Sequence, residues 1–165
     1  MKERVVDYIN SAKPDVVIIT NIFSMNRSLV GGGLLGPSEY KEALVRMIAK
    51  FQSNTKKVVL LSAPPGGDKN PEECFGSRTS VPADCLVRVI GSWDLQASTD
   101  QDVAKLVNGT WIDSRPWFCS AERGWACPAF VGSTPVRFDP YHMGFPYAQK
   151  IHPMVRESFA AAGVF

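Results

Sequence analysis

Apolar positions along the chain follow two rhythms. From Arg4 to Ala12, Val5, Val6, Tyr8 and Ile9 lie on roughly one helical face, and Lys13-Pro14 closes that helix because proline disfavours helix in the residue before it. Asp15–Thr20 then switches to an unbroken β-branched run bounded by turn residues, the pattern of a buried central strand in a parallel sheet. A helix follows from Ser38 to about Ser53, with Ala43, Leu44, Met47, Ile48 and Phe51 forming its apolar stripe. Lys57–Ser62 is a second buried strand, ended by Ala63-Pro64-Pro65-Gly66-Gly67.

The second half continues the alternation. Ser98-Thr99-Asp100-Gln101 has the spacing of a capping box, which predicts a helix from there to about Val107, stopped by Asn108-Gly109. Thr110–Asp113 is a short third strand, and Ala129–Phe138 reads as a hairpin around Gly132-Ser133. The last helix opens near Phe145-Pro146 and carries Ala148, Ile151, Met154, Val155 and Phe159 on one face, with Pro153 expected to kink it. Helices alternating with strands predict an α/β/α three-layer sandwich with a mainly parallel sheet, in one domain over 1–165. In such folds ligands gather at the carboxyl ends of strands, which directs attention to Asn21, to 63–67, to Asp113 and to 139–142.

Gly31-Gly32-Gly33 lies too far from the preceding strand for a phosphate-binding fingerprint, so a loop is expected there. A hydrophobic fraction of 45% with 21% charged residues fits an ordinary globular chain. The net charge is only +2 and basic residues never run beyond Lys56-Lys57, which argues against nucleic acid as a partner. No apolar stretch approaches the ~20 residues that span a bilayer, and the charged N-terminal residues lack the apolar block of an export signal.

The 4 cysteines fall into two local pairs, Cys74 with Cys85 and Cys119 with Cys127. Two short disulfide loops formed in an oxidising compartment are the favoured reading; free buried thiols or a zinc site are the alternatives. Disulfides without an export signal suggest that something upstream is missing.

Asp139-Pro140-Tyr141-His142 is the most informative stretch. A carboxylate three residues before an imidazole can fix its tautomer and support the imidazolium formed when histidine acts as a base. The spacing alone is common and better fits a loop aspartate capping a helix beside a surface histidine. His152 is expected to be structural or solvent-facing, and Asp113 to hydrogen-bond at its strand end. Trp111, Trp117 and Trp125 are expected to pack around the Cys119–Cys127 loop.

The context adds a resemblance. Trp111-Ile-Asp-Ser-Arg-Pro-Trp-Phe-Cys119, then Cys127-Pro-Ala-Phe-Val-Gly132, then Arg137-Phe-Asp-Pro-Tyr-His142 resembles the end of SGNH domains, in particular those fused behind the membrane-embedded acyltransferase-3 domain of bacteria. The Pro14-Asp15 strand, the Ser62-Ala-Pro-Pro65 strand end and the Cys74/Cys85 loop fit as well, so the likeness covers essentially the whole chain. It implies an SGNH hydrolase-like, flavodoxin-like fold, with His142 as general base and Asp139 orienting it. Asn21 stands where the family places an oxyanion-donating asparagine, although the usual Gly-x-Asn-Asp is here Ile19-Thr20-Asn21-Ile22.

The family's Gly-Asp-Ser nucleophile block does not occur: Gly67-Asp68 is followed by Lys69, and Ser24, Ser28 and Ser62 sit in the wrong places. The resemblance therefore implies a domain lacking its first strand and nucleophile, expected to pair through an exposed sheet edge and, alone, to be inactive. The implied parent works on the extracytoplasmic face of the membrane and transfers acyl groups, often acetyl, to hydroxyls of cell-envelope glycans or lipids. An upstream membrane domain would be its partner, with acyl-CoA as donor there and no cofactor in this chain. A secreted carbohydrate esterase and a non-catalytic envelope-binding protein are the alternatives.

Overall fold

A computed structural model describes residues 2–22, 31–70, 73–74, 76–139 and 142–165. Its helices are α1 (Lys2–Ala12), α2 (Pro37–Ala49), α3 (Gly91–Leu106) and α4 (Phe145–Ala161). The main sheet consists of β1 (Val16–Ile19), β2 (Lys57–Leu61) and β4 (Thr110–Ile112), all parallel, in the order β1-β2-β4. Two short antiparallel pairs complete it: β3 (Val87–Arg88) with β5 (Ala126–Cys127), and β6 (Phe130–Val131) with β7 (Thr134–Pro135).

β2 explains the layering. Side chains alternate along a strand, and a strand buried on both faces must be apolar throughout. Val58 and Leu60 join one cluster with Val6 and Ile9 of α1, Leu44 and Ile48 of α2, and Val103 of α3. Val59 joins the other, with Ile112, Phe118, the Cys119 and Cys127 pair, and Tyr147 and Ile151 of α4. Three helices thus cover one face, while α4 and the second disulfide loop cover the other, giving the expected three-layer sandwich.

Two boundaries and the packing of one tryptophan differ from expectation. α3 starts at Gly91, well before Ser98. The hydroxyls of Ser98 and Thr99 donate to the Leu95 carbonyl within the helix, at 2.9 and 2.7 Å, so the apparent capping box is helix interior. α2 ends at Ala49, and Gln52–Asn54 forms a separate 3-10 turn. Trp111 packs against the α1–α2–α3 core instead of the disulfide loop, because β4 turns Ile112 to the opposite face. Trp117 and Trp125 do lie with Cys119 and Cys127. The hairpin around Gly132 and the start of α4 at Phe145-Pro146 match, and Pro153 lies inside α4.

Candidate active site

The 136–144 segment builds the Asp139–His142 pair from its own backbone. Val136 and Arg137 are buried at its base. Arg137 and Met143 form an antiparallel bridge, and the Phe138 N–H donates to the His142 carbonyl at 3.3 Å. Gly144 closes the base, its N–H donating to the Val136 carbonyl at 3.0 Å. Asp139 is therefore held facing His142. Its Oδ1 accepts the His142 backbone N–H at 2.7 Å and its Oδ2 lies 2.6 Å from His142 Nδ1.

A carboxylate accepts only, so Nδ1 carries a proton and, in the neutral ring, Nε2 holds the free lone pair. Phe138 stacks on the imidazole at 5.7 Å and 11°, fixing the ring plane. The His142 side chain is 68% exposed against 31% for Asp139, so the ring is open to a reacting group while its partner is sheltered. Pro140 and Tyr141 lie outside the described residues, as do Ser24 and Ser28.

The loop base is anchored to the β2 strand end. Arg137 is 6% exposed, its Nη2 donates to the Pro65 carbonyl, and its guanidinium lies 5.9 Å from the Phe118 ring centre. Burial lowers its pKa, while Tyr147 acts in the opposite direction. Sequence reasoning missed this anchor, since nothing in Val136-Arg137-Phe138 marks the arginine as internal.

Ser62 is excluded as a nucleophile by its bonds. It is 3% exposed, its Oγ donates to Ser114 Oγ at 3.0 Å and accepts the Ser114 N–H at 2.8 Å. Both serines thus stitch the carboxyl ends of β2 and β4 together. Asp113 serves the same strand end, its Oδ2 accepting from Arg115 Nε at 2.8 Å and Nη2 at 2.6 Å, with Arg115 lying between Trp93 and Trp125. A groove of about 530 Å³ beside α3, bordered by Asp94, Gln101, Trp111 and Arg115, includes neither Asp139 nor His142. His152 is exposed.

Asn21, just past β1, makes its bond elsewhere. Its Nδ2 donates to the Tyr40 hydroxyl at 3.0 Å. That hydroxyl donates to Asp100 Oδ1 at 2.7 Å and accepts from Gln96 Nε2 at 2.9 Å. Burial pushes the Asp100 carboxyl up to about 6, against the opposing pull of the Tyr40 and Gln96 hydrogen bonds. Burial, with Asp100 alongside, also holds the Tyr40 phenol above its ordinary value.

All four cysteines are paired as disulfides, Cys74–Cys85 and Cys119–Cys127, which settles the choice against thiols or zinc.

The sequence model of SGNH domains fused to AT3 domains matches residues 1–157. The chain belongs to that family. Its fold agrees with solved structures of distant sequence. The periplasmic domain of a lipopolysaccharide acetyltransferase from Salmonella ser. Paratyphi A superposes with a TM-score of 0.67 at 15% identity, over 93% of this chain and 61% of that one. An acetylxylan esterase from Geobacillus stearothermophilus gives 0.60 at 14%, over 99% and 66%. LAE5, an α/β hydrolase from the metagenome of Lake Arreo, gives 0.57 at 18%, over 98% and 66%. The chain thus spans about three fifths of the length of the Salmonella domain. No curated protein sequence matches it. Among the described residues of this SGNH chain, no helix is long and apolar enough to cross a membrane.

Proposed function

We propose that this SGNH chain is the histidine-bearing part of an acyl-transfer domain that moves acyl groups, often acetyl, onto hydroxyls of cell-envelope glycans or lipids. The observation that carries the reading is the Asp139–His142 pair, doubly bonded at 2.7 and 2.6 Å with its imidazole exposed, in a chain of this family. The acyl-carrying serine is supplied by a segment outside these residues, since no Gly-Asp-Ser occurs in them.

In this reading His142 Nε2 takes the serine proton as the serine oxygen attacks the acyl carbonyl, and Asp139 supports the imidazolium. The amide of Asn21 donates to the oxyanion. Collapse expels the leaving group, which takes the proton from His142, and leaves an acyl-serine. His142 then accepts the proton of the acceptor hydroxyl as that oxygen attacks the acyl-serine, and returns a proton to the serine when the ester product leaves. The acyl donor is acyl-CoA, used by a membrane acyltransferase domain; no residue of this chain is assigned to it. The family's fusion to AT3 domains supports that partner. The two disulfides support an extracytoplasmic location.

A second reading, a secreted esterase of acetylated carbohydrate, replaces the acceptor hydroxyl by water; the fold shared with the acetylxylan esterase favours it. A binding protein without catalysis would leave the exposed His142 and its sheltered partner without a task.

Full-length protein, with the segment that carries the serine included, separates these readings. Acetyl transfer from a donor ester to sugar hydroxyls in preference to water indicates the transferase, and hydrolysis alone indicates the esterase. His142→Ala should lower turnover of p-nitrophenyl acetate by about a thousandfold or more. Turnover that survives the substitution, or none in the wild type, overturns the catalytic reading.

A further inference from the structure

Tyr40 sits at the centre of a cluster contributed by three parts of the chain: Asn21 after β1, Tyr40 from α2, and Gln96 with Asp100 from α3. Tyr40 and Asp100 are 8% and 3% exposed, and Gln96 is 9% exposed. Buried polar groups of this kind must satisfy one another, which restricts each to one role.

The roles can be assigned by counting protons. A phenol has one hydrogen, and an ionised carboxylate can only accept. The 2.7 Å contact to Asp100 therefore uses the Tyr40 proton, and the Tyr40 oxygen can only accept from its other two neighbours. Gln96 and Asn21 must both present an amide N–H to it, at 2.9 and 3.0 Å. An Asn21 amide turned by half a revolution would set its carbonyl oxygen against the Tyr40 lone pairs.

We infer that Tyr40, supported by Asp100 and Gln96, is a positioning residue that locks the Asn21 side chain in one of its two amide orientations, with one Nδ2 hydrogen spent on Tyr40 and the second left for the oxyanion. The inference rests on Asn21 being the oxyanion donor. It accounts for a buried carboxylate that the reaction itself does not use. It also explains how Asn21 can be held in place although Ile19-Thr20-Asn21-Ile22 lacks the flanking residues usual in the family. The Tyr40 phenol, raised by burial and by Asp100, stays protonated at neutral pH, as the scheme requires.

The arrangement also defines when it should fail. Burial brings the Asp100 carboxyl to about 6. Protonated below that value, Asp100 can donate to Tyr40, and the Tyr40 proton is then free to turn toward an Asn21 carbonyl. The groups facing Asp100 are Tyr40 across the α2 interface and Gln96 on its own helix, both neutral, with Asn21 reached through Tyr40.

The test is a double-mutant cycle in full-length protein, reading kcat and KM for p-nitrophenyl acetate. Tyr40→Phe should lower kcat by about ten- to a hundredfold with KM unchanged, and Asn21→Ala by about a hundredfold or more. The double variant should be no slower than Asn21→Ala alone. If Tyr40→Phe slows Asn21→Ala by its full factor, the positioning role is wrong while the oxyanion reading stands. If Asn21→Ala leaves kcat unchanged, the oxyanion reading itself falls and this inference with it. Should Tyr40→Phe not fold, Asp100→Ala, which removes the acceptor of the Tyr40 proton, replaces it in the same cycle. The wild-type protein gives a check without substitution: one Asn21 Nδ2 proton should be protected from solvent exchange at neutral pH and lose that protection as pH drops through about 6. Equal, pH-independent exchange of both protons contradicts the lock.

Discussion

Asp139 grips His142 at two points, with one carboxylate oxygen on the backbone N–H at 2.7 Å and the other on ring Nδ1 at 2.6 Å. The first bond sets the backbone and the second sets the tautomer, so a single side chain couples backbone shape to the state of the imidazole. Asp139→Asn separates the two functions. The carboxamide oxygen can take only one of the two N–H groups while its NH2 faces the other, and the negative charge is gone. Full-length Asp139→Asn should lose about a hundred- to ten-thousandfold in kcat for p-nitrophenyl acetate. A loss below tenfold would mean that Asp139 only shapes the loop.

Arg137 supports the same loop from beneath. It is a buried cation with a carbonyl acceptor and an aromatic face for neighbours, and among the described residues it forms no ion pair with a carboxylate. Arg137→Ala removes the Pro65 bond and much packing against Phe118, and should destabilise by about 2–4 kcal/mol in urea denaturation. Arg137→Met keeps the bulk and removes the buried charge, so it should be clearly milder than alanine. Equal losses for both would show that the Pro65 hydrogen bond, and not packing, holds the loop.

Much of the fold was legible because β2 and α2 are unambiguous. Val58 to Leu61 is apolar at every position, which only a strand covered on both faces requires, and Leu44 and Ile48 fall one helical turn apart. The start of α3 was not legible: Ser98 and Thr99 show a cap's spacing, but their hydroxyls can bond back to Leu95 as readily as forward, and only the fully buried Trp93 and its bond to the Ala63 carbonyl decide for an earlier start. The Asp139–His142 pair could be found because both partners lie within four residues. The Asn21 cluster could not, since Tyr40 and Asp100 are 60 residues apart and nothing local marks either as a partner.

The two disulfides should contribute differently to stability. Closing loops of this size stabilises by about 2–3 kcal/mol in the chain-entropy account. Cys119 and Cys127 also belong to the core beneath α4, at 7% and 1% exposure, whereas Cys85, although 5% exposed, and the other described residues of 74–85 join neither cluster. Replacing Cys119 and Cys127 by alanine should therefore lower stability by more than replacing Cys74 and Cys85. Thermal unfolding of both double variants under non-reducing conditions measures the order, and the reverse order would contradict the placement of the second loop in the core.

Asp100 makes stability depend on pH in an unusual direction. Its carboxyl is raised from 3.8 to about 6, chiefly by burial. Between those values the folded chain holds a proton that the unfolded chain has released, so stability falls as pH rises through the window and levels off above it. A shift of this size corresponds to a loss of about 3 kcal/mol on going from below pH 4 to neutral pH. Asp100→Asn keeps an acceptor for Tyr40 and removes the titration. The unfolding free energy of the wild type minus that of the variant should thus decline from pH 4 to pH 6.5 and stay flat to pH 8. Taking the difference cancels the opposite slopes that other carboxylates produce. A difference that does not change with pH would show that Asp100 titrates as it does in the unfolded chain, and that burial in the Tyr40 cluster leaves its charge unpenalised.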